Sequence, residues 1–109
     1  MANFFRNKVI KNVGTELSEV VRIPNNSRAT VIGLSMANLT ENPILVSVHV
    51  EDHEETLGFY IKEVIVAAHT TLKVLNGGEK LILAPDNALF VSASQDNCVD
   101  VVLSYVEIV

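Results

Sequence analysis

Apolar and polar residues alternate along most of the chain, which is the pattern of β-strands with one buried face. The segment 41–52 (ENPILVSVHVED) is the clearest example. One of its faces carries only branched apolar residues, namely Ile44, Val46, Val48 and Val50. The other face carries Leu45, Ser47 and His49. Apolar residues at helical spacing are rare, so the pattern predicts strands almost throughout.

The remaining segments extend this prediction to the whole chain. Residues 28–40 (RATVIGLSMANLT) predict a long strand with Ile32, Leu34 and Met36 on one side. In residues 58–67 (GFYIKEVIVA), Ile61 and Ile65 are predicted to share a side. Shorter strands are predicted at 18–24, 71–75, 80–83 and 88–93. Turn residues recur at intervals of about 8–12 residues, as in all-β sandwiches and barrels. We therefore predict an all-β fold, an antiparallel β-sandwich of eight or nine strands. A jelly-roll-like topology is preferred to an immunoglobulin-like one.

The last predicted strand, residues 98–109 (CVDVVLSYVEIV), is apolar on both faces. The first face carries Val99, Val101, Leu103 and Tyr105; the second carries Cys98, Val102, Val106 and Ile108, interrupted by Asp100 and Ser104. An antiparallel strand in a small domain normally presents one polar face to water. Exposed apolar surface forgoes about 25 cal/mol per Å² of burial, and a contiguous patch usually marks a contact site. We expect a second chain to cover this face; the alternative is coverage by the chain's own N-terminal arm or long loops.

The N-terminal segment carries two adjacent aromatic residues, Phe4 and Phe5. Neighbouring side chains of an extended segment point in opposite directions, so one ring is expected to lack cover unless the segment packs on something. Residues 1–7 are therefore a candidate docking arm on a single domain that spans residues 1–109. The alternative is that the arm folds back on its own sandwich. The candidate interface residues are Phe4, Phe5, Val102, Val106 and Ile108.

Composition narrows the classes of function. The 109 residues fit one domain, and no apolar run approaches the roughly 20 residues that span a bilayer. The first residues carry charges and no apolar core of a secretion signal, so we expect the protein to stay where it is made. The net charge of −5 argues against nucleic-acid binding. The single cysteine, Cys98, excludes an intrachain disulfide and a cysteine-based zinc site.

No group of residues predicts catalysis or a cofactor. The segment 49–55 (HVEDHEE) contains imidazoles and carboxylates that could hold a metal, but it lacks a recognised ligand spacing. A charged hairpin tip explains it, and metal binding is left open there. The segment 76–80 (NGGEK) is not followed by the residues of a phosphate-binding loop. We therefore predict no catalytic, cofactor-binding or metal residues, and no enzyme.

Four segments in order resemble small virion structural proteins of tailed bacteriophages, with marine and cyanobacterial phages most similar. They are 7–16 (NKVIKNVGTE), 28–52 (RATVIGLSMANLTENPILVSVHVED), 78–94 (GEKLILAPDNALFVSAS) and 99–109 (VDVVLSYVEIV). They cover most of the chain and are strand patterns, so their order carries the resemblance. It implies a non-enzymatic particle component, made in the infected bacterial cytoplasm and assembled in multiple copies in the virion.

These observations give one leading hypothesis and several alternatives. The first is a capsid decoration or cement protein whose partners are itself, for example as a trimer, and other virion proteins such as the major capsid protein or a neck or tail protein. Neither nucleic acid nor membrane is an expected partner. The alternatives are a neck, tail or baseplate accessory protein, or a host-glycan-binding module that uses the loops at 49–55 and 76–78. A metal-dependent cupin-like enzyme would need ligands that the three histidines do not convincingly supply.

Overall fold

A computed structural model describes residues 2–75 and 78–109, which form nine β-strands. The strands are β1 (Asn3–Val13), β2 (Ser18–Arg22), β3 (Arg28–Asn38), β4 (Ile44–Glu51), β5 (Leu57–Val66), β6 (Thr71–Lys73), β7 (Leu81–Leu83), β8 (Ala88–Ala93) and β9 (Val99–Ile108). Over these two ranges, no helix has the length and hydropathy needed to cross a bilayer.

The strands form two antiparallel sheets. Sheet A has the order β1-β9-β3, and both β6 and β7 pair with the other edge of β3. Sheet B has the order β2-β8-β4-β5. The pairs are nested along the chain: β1 with β9, β2 with β8, β3 with β6 and β7, and β4 with β5. This nesting is the rolled-up ribbon of a jelly roll. The predicted all-β sandwich of eight or nine strands is confirmed, and the ninth strand exists because the segment opposite β3 is split into β6 and β7.

The core lies between the two sheets and is made of the faces that the alternation predicted. Strand β9 contributes Val99, Val101, Leu103 and Tyr105, and β4 contributes Ile44, Val46 and Val48; all are buried. At roughly 1.5–3 kcal/mol for each fully buried branched side chain, this burial is the main stabilisation of the fold.

Two β-bulges shift the alternation and correct two sequence predictions. In β3, Val31 pairs with Tyr105 and Gly33 with Ser104, so Ile32 is an extra residue. Leu34 and Met36 are buried, but Ile32 is 47% exposed; the prediction that the three share a side is wrong. A one-residue slip moves every following side chain to the other face, and a bulge produces that slip within one strand.

The second bulge lies in β5. Val46 pairs with Val64 but Val48 pairs with Ile61, which leaves two residues of β5 opposite Ser47. The Ser47 hydroxyl oxygen accepts the backbone N–H of Glu63 at 2.9 Å and thereby satisfies a donor that the bulge removes from the ladder. Ile61 consequently packs against the core while Ile65 is exposed, so the prediction that they share a side is wrong.

A buried amide closes one end of the sandwich. The Asn38 side-chain nitrogen donates to the carbonyl oxygens of Asn42, Val66 and Ala67 at 2.8, 3.1 and 3.2 Å. Its Oδ1 accepts both the backbone N–H and the hydroxyl of Thr40 at 2.8 Å. This side chain therefore joins the end of β3 to the β3–β4 loop and to the end of β5.

Candidate assembly interface

The second face of β9 is the outer face of sheet A. Strand β9 lies between β1 and β3, with Val102, Val106 and Ile108 on the side away from sheet B. Val102 is 41% exposed, and the other two are half-buried by neighbours in the same sheet. The N-terminal segment lies beside β9 as β1 and does not cross over its outer face. Water therefore reaches this face in the isolated chain.

Apolar residues on the strands flanking β9 extend this surface. In the register of the sheet, Phe5 lies opposite Val106, and Val9 lies opposite Val102. On the other side of β9, Thr30 lies between Val106 and Ile82. We call the resulting surface the apolar strip; it consists of Phe5, Val9, Ile82, Val102 and Val106. Phe5 is 81% exposed, and Val9 and Ile82 are each 60% exposed. An exposed apolar surface of this kind, interrupted by polar residues such as Thr30, is a candidate contact surface.

The structure brings together four of the five candidate interface residues. Phe5, Val102, Val106 and Ile108 share the outer face of sheet A, whereas Phe4 points to the other side of β1. There the Phe4 ring lies under the Arg6 guanidinium carbon, 5.0 Å from the ring centroid. Sequence reasoning missed Val9 and Ile82. Val9 was detectable because it follows Phe5 at an even spacing on the same strand; Ile82 required knowledge of the strand order.

The inner side of β1 is also open to solvent, because sheet B ends at β2. A cleft of about 500 Å³ between β1 and β2 is lined by Arg6, Lys8, Arg22, Tyr105 and Glu107, among others. The Arg6 Nε donates to the largely buried Glu107 carboxylate at 2.6 Å, which holds β1 against β9 at this point. Burial and the neighbouring Glu107 charge raise the pKa of Tyr105. The cleft is polar and offers positioned charges, without a nucleophile and base in contact.

The outer face of sheet B carries a smaller aromatic site. His49 and Phe59 are register partners whose ring centroids lie 4.2 Å apart. They line a depression of about 310 Å³ together with Ser47, Glu63 and Ser92 and other residues. His49 Nδ1 is buried without a hydrogen-bond partner among the described residues, and desolvation lowers the pKa of His49. Within residues 2–75 and 78–109, no three histidine, cysteine or acidic side chains come together in a metal-binding group.

The hairpin tip at 49–55 is organised by one carboxylate. Asp52 Oδ1 accepts the backbone N–H groups of Glu54 and Thr56, both at 2.9 Å, and these bonds hold the pKa of Asp52 below its usual value. This oxygen is therefore used by the turn itself. The other loop considered for glycan binding, 76–78, includes Asn76 and Gly77, which lie outside the described residues.

The depressed pKa of His49 predicts a pH dependence of stability. In the unfolded chain His49 takes up a proton near pH 6.5, whereas in the folded chain it does so only at lower pH. Just below pH 6.5 the unfolded state therefore binds more protons than the folded state. Stability is therefore expected to fall as pH drops through this window and to be fully present above it. His49→Gln should flatten the pH dependence of the melting temperature between about pH 7 and 5. An unchanged slope in this variant would show that another group titrates there.

Comparisons with known proteins agree with the fold. No protein-family model matches the sequence, and no curated protein matches it. A chain from the acid-stable capsid of Helicobacter pylori bacteriophage KHP30 matches with a TM-score of 0.56 and 16% identity, over 100% of this chain and 89% of that one. A chain from the disulfide-linked pili of Bacillus endospore appendages matches with a TM-score of 0.57 and 8% identity, over 96% and 86%.

A third similar structure comes from the IBDV viral particle, with a TM-score of 0.55 and 7% identity; it matches 96% of this chain but only 30% of the viral one. At these identities the likeness establishes a common fold. The chain is an all-β jelly roll whose architecture is shared with proteins of a phage capsid, a viral particle and a bacterial pilus.

Proposed function

We propose that this chain is a structural, non-enzymatic component of a bacteriophage particle, of the capsid decoration or cement type. The observation that carries the proposal is the uncovered apolar strip on the outer face of sheet A, at the centre of which lies β9. The resemblance of four sequence segments to virion proteins supports it. The fold shared with proteins of a phage capsid and a viral particle is consistent with it.

The size of the strip indicates what kind of contact it makes. Its five side chains are between half-buried and 81% exposed, so covering them contributes on the order of 5 kcal/mol. Association costs about 4–15 kcal/mol in lost freedom. The strip alone therefore supports weak pairing, and stable attachment requires either several copies bound together or a larger partner surface.

This energetic balance suits a protein that adds to a particle. Copies of the chain associate with each other and with another virion protein, such as the major capsid protein or a neck or tail protein. A trimer would follow the local symmetry of a capsid. Assembly takes place in the host cytoplasm, where the single buried thiol, Cys98, stays reduced and plays no part in the contact.

Imaging of purified particles tests the proposal. Cryo-electron microscopy of the virion, with this chain fitted into unassigned density, is expected to place it on the head surface. Density at the neck, tail or baseplate would replace decoration by the accessory alternative. Absence of the chain from purified particles by both imaging and mass spectrometry would overturn a structural role.

Phe5→Ser is expected to weaken association by about tenfold or more, because it removes the aromatic ring that is the most exposed side chain of the strip. The melting temperature should change by less than about 2 °C, since that ring is barely buried in the isolated chain. Sedimentation equilibrium over a range of concentrations gives both the stoichiometry and the dissociation constant. Leu39→Ser, at an apolar residue that is 43% exposed and lies away from the strip, is the control and should associate like the unmodified chain. Equal association of both variants and the unmodified chain would contradict a role for the strip.

A further inference from the structure

We propose that the free edge of β1 pairs with the free edge of β5 in a second copy of the chain. This contact is head-to-tail and joins sheet A of one copy to sheet B of the next. It rests on the proposed function, because it specifies how copies of a structural component would associate.

Both strands have an unpaired edge of unusual length. Within residues 2–75 and 78–109, strand β1 has 11 residues and pairs only with β9, and β5 has 10 residues and pairs only with β4. Soluble proteins usually keep edge strands short or cover them, because a long free edge is a template for pairing with another chain. The other sheet edges are β2, with five residues, and β6 and β7, with three each. Strands β1 and β5 are therefore the two longest edges, and the bulges of β5 between Phe59 and Val64 divide its edge into shorter regular stretches.

The hydrogen-bonding direction of β1 follows from its register. Ala2 and Val109 exchange both backbone hydrogen bonds, at 3.2 and 3.0 Å. In an antiparallel pair, residues alternate between bonding the partner and pointing away from it. Phe4, Arg6 and Lys8 therefore bond β9, and the N–H and C=O groups of Phe5 and the odd-numbered residues beside it point to the free edge.

The distribution of charged residues favours β5, with the hairpin that precedes it, as the partner of β1. Strand β1 contains three of the chain's eight basic residues, Arg6, Lys8 and Lys11, and no acidic residue. The segment 51–63, which includes most of β5 and the hairpin before it, contains five of the 13 acidic residues and one basic residue. Among the described residues, neither Lys8 nor Lys11 forms an ion pair, and the same is true of Glu54, Glu55 and Glu63. The edge of β1 thus carries uncompensated positive charge, and the hairpin that leads into β5 carries uncompensated negative charge, whereas Lys62 and Glu63 balance within β5 itself.

The same charges disfavour symmetric pairing of like edges. If two β1 strands paired about a twofold axis at Asn7, Arg6 of one copy would lie opposite Lys8 of the other, and like charges directly opposite are destabilising. Two β5 hairpins would bring acidic residues together in the same way. The contact that remains uses two different surfaces, so each copy can bind a neighbour on both sides and the assembly grows into a ring or filament.

Apolar contacts accompany the charges. Phe5 and Val9 on β1 are exposed on the outer face of sheet A, and Leu57 and Phe59 on β5 are exposed on the outer face of sheet B. Pairing of the two edges would place these side chains on adjoining strands. The backbone hydrogen bonds set the geometry of the interface, the apolar pairs contribute affinity, and the charges determine which edges pair.

Charge reversal on each side, followed by mixing, tests this arrangement. One variant carries Lys8→Glu and Lys11→Glu; the other carries Glu54→Lys, Glu55→Lys and Glu63→Lys. Each is expected to raise the dissociation constant of self-association by about tenfold or more, because like charges then face each other. A 1:1 mixture is expected to associate within about threefold of the unmodified chain, since opposite charges meet again at every joint. Lys73→Glu with Lys80→Glu gives the same net charge as the β1 variant at the opposite edge of sheet A and should associate normally. Circular dichroism and thermal melting verify that each variant is folded.

Three results would overturn the inference. The mixture could remain dissociated, the β5 variant could associate like the unmodified chain while the β1 variant does not, or the unmodified chain could stay monomeric at all concentrations. The second result would show that the β5 side of the chain is not the partner of β1. None of these results bears on the proposed position of the chain in the particle, because imaging tests that position separately. Conversely, charge-dependent association of a chain absent from particles would overturn the proposed function alone.

Discussion

Leu103→Ala is expected to lower the free energy of unfolding by about 2–5 kcal/mol, while Val102→Ala, one residue away, lowers it by less than about 1 kcal/mol. Leu103 lies on the inner face of β9 and is fully buried, opposite Leu34 of β3. Its truncation removes buried methyl groups and leaves a cavity in a layer closed by both sheets. Val102 is 41% exposed on the outer face, so its truncation loses little burial within the chain.

Urea unfolding, at a concentration low enough to keep the chain monomeric, measures both values. Association should show the reverse order: Val102→Ala weakens it, whereas Leu103→Ala affects it only through loss of folded protein. Equal loss of stability in the two variants would mean that the outer face is packed within the monomer. The pair therefore separates folding from assembly on a single strand.

Asn38→Ala is expected to destabilise the fold by about 2–4 kcal/mol. The Asn38 amide donates to three backbone carbonyls and accepts two hydrogen bonds from Thr40, and its side chain is buried. Alanine leaves the three carbonyl oxygens and the two Thr40 donors without this partner, in a buried position that water reaches poorly. The larger part of the cost is the desolvation of orphaned groups rather than the bonds themselves.

Two comparison variants make this prediction specific. Asn42 contributes its backbone carbonyl to the network, and not its side chain. Asn42→Ala should therefore lower the free energy of unfolding by less than about 0.5 kcal/mol. Asn38→Asp keeps the oxygen that faces Thr40 but places a carboxylate against three carbonyl oxygens. Its melting temperature is expected to rise as pH is lowered and the carboxyl group becomes a donor. An Asn38→Ala variant as stable as the unmodified chain would show that water satisfies the network.

The strand pattern made the fold class predictable. Strict alternation in β4 and β9 identified the residues that line the core, because a period of two places every second side chain on the same face. Regularly spaced turn residues indicated a sandwich, and the jelly-roll topology was among the few arrangements that this many short antiparallel strands allow. The two apolar sides of β9 predicted that a second chain covers its outer face. Phe5, Val102, Val106 and Ile108 share that face of sheet A, and its coverage by a partner stays a prediction.

The failures have a local cause. Gly33, beside Ile32, was a signal for the first bulge, because an isolated glycine inside a strand often marks one, but it does not specify which neighbouring residue is extra. The slip in β5 depends on Ser47 of the neighbouring strand. A bulge is stabilised by what lies opposite it, so the strand's own sequence does not specify its position. The Asn38 network was missed for a similar reason, because its acceptors Val66 and Ala67 are far away in the sequence.

The sequence alone determined which side chains must leave water: the alternating valines, leucines and isoleucines allow a sandwich and little else, because burial of apolar surface dominates folding. Tertiary structure decided which of the remaining apolar residues meet. Phe5, Val106 and Ile82 come from three separate parts of the chain and form one surface only because β9 inserts between β1 and β3. The open, basic edge of β1 and the open edge of β5 beside its acidic hairpin likewise follow from strand order, since a strand's edge is free or paired according to which neighbours the fold brings to it.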